Sequence, residues 1–178
     1  NRAALDVYQD VIDARPDGRD LRWRIEHAQH LDPADVPRFA ELGVIAAMQP
    51  VHCSSDGPWV PLRLGEERAR QGAYVWRSLL ETGAVISGGT DAPVEPVDPI
   101  PDFHAAVTRQ LPDGTAFFPE QVMSREEALR ARTRNAAYAA FEEDIKGSLT
   151  VGKLADVTVL SEDILRVPAA QILDARRG

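Results

Sequence analysis

Three short apolar runs, each ending in polar side chains and each preceded by a helical stretch, constrain this chain more than anything else in it. Leu21 to His27 alternates apolar and polar residues, as a strand does. Val44 to Met48 is continuously apolar, the pattern of a strand covered on both faces. Ala84 to Ser87 repeats that pattern before Gly88-Gly89-Thr90-Asp91-Ala92-Pro93. Between them lie helical segments. Ala3 to Ala14 has an apolar face of Leu5, Val7, Tyr8, Val11 and Ile12, and Pro16-Asp17-Gly18 is predicted to end it in a turn. Asp32-Pro33 opens a helix that Gly43 stops, because Asp caps free N–H groups and glycine accepts a left-handed exit. Ala73 to Glu81 forms another. Helix and strand thus alternate three times, which predicts βα units and a parallel sheet.

Further along, 93–101 reads as a proline- and acid-rich loop and Phe103 to Arg109 as a short helix. Ser124-Arg125-Glu126-Glu127 fits a capping box and predicts a long helix to about Phe141. The polar stretch after Met48, up to about residue 72, reads as loop. The tail changes character: Gly147, Gly152 and the β-rich Asp156 to Leu160 predict strands of a separate small sheet.

Composition narrows the function. The 178 residues hold 28 acidic against 20 basic side chains, a net charge of −8, so a nucleic-acid footprint is absent. The single cysteine, Cys53, rules out an internal disulfide and a Cys-rich zinc module and suggests a reducing, cytoplasmic compartment. No apolar run reaches the roughly 20 residues of a membrane span, and the start has no secretory pattern. The expected partners are a small-molecule substrate and a second copy of the chain, with neither nucleic acid nor membrane.

In a (β/α)8 barrel, functional groups sit at the C-terminal ends of the strands. Here those ends deliver His27, His52 and Asp91, whose nitrogens and carboxylate oxygens are ordinary zinc donors. Taken singly, each has a plainer reading. His27 could be a loop hydrogen-bonder, and Gly-Thr-Asp-Ala-Pro around Asp91 could be only a turn. His30 reads as a residue behind the site or on the surface, and His104 as a solvated helix residue. Cys53 reads as an inert apolar residue. Arg24 and Glu26 form either a polar network or a simple ion pair. Gly88-Gly89 lacks the spacing of a dinucleotide loop, so a phosphate-binding α/β domain is only a third reading.

Arg24-Ile25-Glu26-His27-Ala28-Gln29, Gln49-Pro50-Val51-His52 and Gly89-Thr90-Asp91-Ala92-Pro93 together resemble the last three barrel strands of the amidohydrolase superfamily. The nearest group is the one that includes N-substituted formamide deformylase. Thr133-Arg134-Asn135-Ala136-Ala137 and the tail from Lys146 to Leu160 resemble that superfamily's approach to its small β domain.

The resemblance implies an α/β chain forming part of a (β/α)8 TIM barrel, about strands six to eight with flanking helices, plus C-terminal strands of a small β-sandwich. The boundaries are 1–145 for the barrel part and 146–178 for the β segment. It implies a metal-dependent hydrolase of amide or related C–N bonds, other than peptide bonds, with a divalent metal such as zinc. His27 and Asp91 would be metal ligands, Asp91 also the catalytic base, and His52 a substrate-binding residue. The superfamily's His-x-His and its strand-four and strand-five ligands have no counterpart, and the strand-five motif is expected just before Asn1. The alternative is a catalytically incomplete chain with open sheet edges that only self-associates or has no activity alone.

Overall fold

The structure, a computed structural model, describes residues 1–15 and 21–176. The turn expected at Pro16-Asp17-Gly18 lies outside the described residues. Three parallel strands, β1 (Arg24–Glu26), β2 (Ile45–Met48) and β3 (Ile86–Gly88), form one sheet in chain order. The register pairs Arg24 with Ile45 and Ala46 with Ile86. All four residues of the central strand are buried, which explains why its run is apolar on both faces.

Helix α1 (Arg2–Ala14) packs against helix α2 (Val36–Leu42). A short 3-10 turn, Pro33–Asp35, precedes α2; Asp32 accepts from Ala34 N–H, and Gly43 ends α2 with φ 66°. Three short helices, α3 (Pro50–Asp56), α4 (Val60–Leu64) and α5 (Glu66–Gly72), occupy the stretch read as a polar loop after Met48. Each spans at most two turns, too short for a periodic apolar stripe to register. Their inward residues Cys53, Val60 and Ala69 are nonetheless buried. Pro50 and Pro61 stand in the first turns, where a missing N–H costs nothing. Helix α6 (Trp76–Glu81) follows, and Leu5, Phe39, Trp76 and Leu79 are fully enclosed between the helices and the sheet. Burying such side chains contributes on the order of 1.5–3 kcal/mol each.

Helix α7 (Pro99–Thr108) begins earlier than expected because Asp98 caps it, accepting from Ile100 N–H. The capping box holds: Ser124 accepts from Glu127 N–H at 3.2 Å, and Glu127 accepts from Ser124 N–H at 2.7 Å. The long helix does not run through to Phe141. It breaks at Thr133 into α8 (Arg125–Arg132) and α9 (Arg134–Ala139). The Thr133 hydroxyl donates to Leu129 C=O at 2.7 Å, and its backbone leaves the helical region at φ −119°, ψ −86°.

The sheet edges are not bare. Trp23 C=O serves Ile45 N–H, so the next carbonyl, Arg24, faces outward, where it accepts from the Tyr8 hydroxyl at 3.1 Å. On the other side Val85 C=O serves Ala46 N–H, and the outward Ile86 carbonyl accepts from Asn135 Nδ2 at 2.9 Å. Arg24 and Glu26 form an ion pair at 2.5 Å, and Arg24 also donates to Ala139 C=O at 3.4 Å.

The tail departs from expectation. Among the described residues from 146 onward there is no strand, and a 3-10 segment, Ala169–Asp174, is its one regular element. Val151, Val157 and Val159 are β-formers without a neighbouring strand to pair with, and they stand exposed. The described residues therefore do not form the expected small β-sandwich.

Candidate metal centre

The strands place the three candidate residues on one rim. His27 follows β1 and Asp91 follows β3 by three positions; each adopts a left-handed backbone, φ 68° and φ 56°. That conformation is uncommon for residues with a Cβ, and it turns both side chains off their strand axes at the sheet's C-terminal end. His52 lies in the first turns of α3 rather than in a loop and is buried. One donor atom from each of His27, His52 and Asp91 lies within 4.8 Å of the others. His27 Nε2 stands 4.0 Å from Asp91 Oδ2, and those two side chains are 46% and 39% exposed. A cleft of about 240 Å³ opens beside them, lined by His27, Gln29, His52, Asp56, Val94 and Glu95.

The surrounding hydrogen bonds orient the rings. His27 Nδ1 is 2.8 Å from Gln49 Oε1, an arrangement that suits a proton on Nδ1 and leaves Nε2 facing Asp91. An outer partner of this kind is what fixes a metal-ligating imidazole. In a tetrahedral site with bonds of about 2.1 Å, donor atoms sit about 3.4 Å apart. The 4.0 Å gap needs only a small side-chain rotation to meet that, and both side chains are exposed enough to make it. His27 and Asp91 can therefore supply two of the donors that a divalent ion needs.

Several residues that the sequence did not single out build the floor and wall. Asp102 is buried at 1% exposure; it accepts from Val51 N–H at 2.9 Å and pairs with Arg132. Burial pushes its carboxyl up to about 6, against the opposing pull of Arg132 and the Val51 N–H. This pair ties the start of α3, and with it His52, to α7 and α8. Tyr74 donates to Asp56 at 2.7 Å and accepts from Gln29 at 2.8 Å. Arg109 is fully buried; it donates to the carbonyls of Phe117 and Tyr74 at 2.5 and 2.7 Å, and its guanidinium lies 4.4 Å from the Trp76 ring. Nothing in local sequence pattern marks Tyr74 or Arg109, since Asp56, Gln29 and the Tyr74 carbonyl lie 18 to 45 positions from their partners.

The remaining candidates fall elsewhere. His104 is buried, not solvated, and burial lowers its imidazole pKa. His30 stands edge-on to Tyr74, ring centres 5.7 Å apart. Cys53 is enclosed, and burial pushes its thiol up to about 12, so it is inert packing. Gly88 is a packing glycine: a Cβ there would lie 3.1 Å from Arg132 Cγ. That contact accounts for it without a phosphate.

The profile of the Amidohydrolase family matches residues 2–177. The chain belongs to the Amidohydrolase family. This amidohydrolase chain is 43% identical over 162 residues to "Protein LONG AFTER FAR-RED 3" of Arabidopsis thaliana, covering 90% of this chain and 28% of that protein. It is 29% identical over 162 residues to N-substituted formamide deformylase of Arthrobacter pascens, covering 90% of this chain and 30% of that enzyme. A solved structure, an uncharacterized metal-dependent hydrolase of Pyrococcus horikoshii, superposes with a TM-score of 0.78 at 31% identity, over 94% of this chain and 34% of that one. The chain thus spans about a third of the length of these relatives. The likeness supports an α/β fragment of the amidohydrolase barrel. Among the described residues no helix is long and apolar enough to cross a membrane.

Proposed function

We propose that the protein is a metal-dependent hydrolase of amide or related C–N bonds in small molecules, with the chain described here supplying one arc of its active site. The observation that carries this reading is the convergence of His27, His52 and Asp91 on one rim, beyond the C-terminal ends of three consecutive parallel strands in a member of the Amidohydrolase family. The name of the deformylase relative agrees with an acyl C–N bond as target.

His27, through Nε2, and Asp91 would hold a divalent ion, zinc being the natural match for imidazole and carboxylate. Such an ion lowers the pKa of water towards neutrality and polarises a carbonyl. Asp91 would be the group that moves protons: its carboxylate would take one from the attacking water and return it to the leaving nitrogen. Gln49 holds His27 in the tautomer that leaves Nε2 free. His52 lines the cleft where the substrate would lie.

The test is zinc content and turnover of the intact protein on a panel of N-formyl and N-acyl amines, comparing wild type with Asp91→Asn. Bound zinc in the wild type is expected, with turnover slowed at least about 100-fold by the substitution. A zinc-free wild type, or Asp91→Asn turning over at the wild-type rate, would refute the assignment. A second reading, a chain that only self-associates, draws on the exposed Leu149, Val151 and Val159. A monomer in sedimentation experiments removes it.

A further inference from the structure

We infer that Asp56, Tyr74 and Gln29 form a positioning relay that fixes His52 with its proton on Nε2, making it a hydrogen-bond donor to a substrate oxygen and not a metal ligand. The inference rests on the hydrolase reading for the identity of the acceptor, a carbonyl or carboxylate oxygen; the relay itself does not depend on it.

The direction of each hydrogen bond is set from the charged end. Asp56 is acceptor-only when ionised, so the Tyr74 hydroxyl, 2.7 Å away, must direct its one proton to it. Tyr74 is fully buried, and burial, followed by the bond to Asp56, raises its pKa, so the hydroxyl stays protonated. The group on Gln29 that faces the phenol oxygen at 2.8 Å must then donate, which sets the amide with its NH2 towards Tyr74. The same NH2 lies 3.5 Å from Asp56 Oδ2, which favours the same orientation, and 3.4 Å from His52 Nδ1. One hydrogen of this NH2 goes to Tyr74, and the other points between Asp56 Oδ2 and His52 Nδ1, an arrangement that favours a bare Nδ1. In a neutral imidazole the proton then sits on Nε2.

Nε2 is one of two buried side-chain polar atoms among the described residues that have no partner. A buried N–H without an acceptor costs about 1–3 kcal/mol, so its persistence calls for an acceptor that arrives with a ligand. His27 is set the other way round by Gln49, with Nε2 bare. Two histidines whose rings lie 6.0 Å apart thus hold opposite tautomers and take different parts. Backbone anchoring keeps the relay rigid: Arg109 grips Tyr74 C=O at 2.7 Å, and Gln29 C=O accepts from Tyr74 N–H at 2.7 Å.

The experiment is ring-nitrogen NMR of the intact protein labelled with 15N-histidine, the His52 signals assigned by their loss in His52→Gln. The expected wild-type pattern is a proton-bearing Nε2 and a bare Nδ1. Added zinc is expected to shift His27 Nε2 and leave the His52 Nε2 proton in place. In Gln29→Leu and Tyr74→Phe, His52 Nδ1 is expected to move towards the proton-bearing position as the tautomers mix. A wild type with its proton on Nδ1, a His52 Nε2 that loses its proton to zinc, or a His52 pattern unchanged in both variants would overturn the inference. If the protein neither takes up zinc nor hydrolyses amides but keeps the tautomer pattern, the hydrolase reading fails and the relay stands.

Discussion

Removing one oxygen from Tyr74 tests the wall of the cleft quantitatively. Tyr74→Phe keeps the buried ring and deletes a hydroxyl that donates to Asp56 at 2.7 Å and accepts from Gln29 at 2.8 Å. A hydrogen bond to a charged acceptor is worth roughly 1.5–3 kcal/mol. Asp56 is only half-buried, so water can replace part of that bond. The expected loss is therefore about 1.5–2 kcal/mol, or a fall in Tm of about 3–8 °C for a chain of this size. Urea unfolding reads it as a lower midpoint with unchanged slope. Tyr8→Phe is the control: its hydroxyl reaches Arg24 C=O at 3.1 Å on the exposed sheet edge and should cost about 0.5 kcal/mol. A double-mutant cycle with Asp56→Asn should return a coupling of about 0.5 kcal/mol or more. A Tyr74→Phe loss below about 0.5 kcal/mol, or equal to that of Tyr8→Phe, would refute the idea that the Tyr74 hydroxyl makes a stabilising bond to the half-buried Asp56 carboxylate.

Other outcomes follow from the same geometry. Arg109→Met should destabilise by about 3–5 kcal/mol in urea melts, because three backbone carbonyls around a fully buried guanidinium lose their donor, and Arg109→Lys should not restore it. Asn135→Ala should cost about 1 kcal/mol by exposing the Ile86 edge carbonyl, measured the same way. The Arg77 bond holds the Glu127 carboxyl down to about 2. A carboxyl depressed in the folded state adds stability above its unfolded value of about 4.5, and that stability is lost as pH falls towards about 2. Since Glu127 is 30% exposed, solvent screening reduces the effect to about 1–2 kcal/mol; Glu127→Gln should remove this part of the acid dependence in melts between about pH 5 and 2.

The sequence alone determined those features whose causes are local. The run at Val44–Met48 is a strand because a continuous apolar patch of that length buries both faces, the run at Ala84–Ser87 leads into the strand Ile86–Gly88, and Gly43 and Ser124 end and begin helices through their own backbone and hydroxyl chemistry. The rim residues His27, His52 and Asp91 were legible for a related reason: in a parallel sheet every strand's C-terminal end faces the same way, so strand order converts directly into a shared face. Tertiary structure decided the rest. The helices after Met48 are too short to carry a period and exist because Cys53, Val60 and Ala69 find a core to enter. His104 is buried because α7 packs on its neighbours, which no helical pattern of ten residues discloses. The Asp56–Tyr74–Gln29 wall, the Asp102–Arg132 pair and the Arg109 clamp join residues far apart in sequence. Whether such polar groups are partners or merely neighbours is set by distances of a few tenths of an ångström, and only the folded chain fixes those.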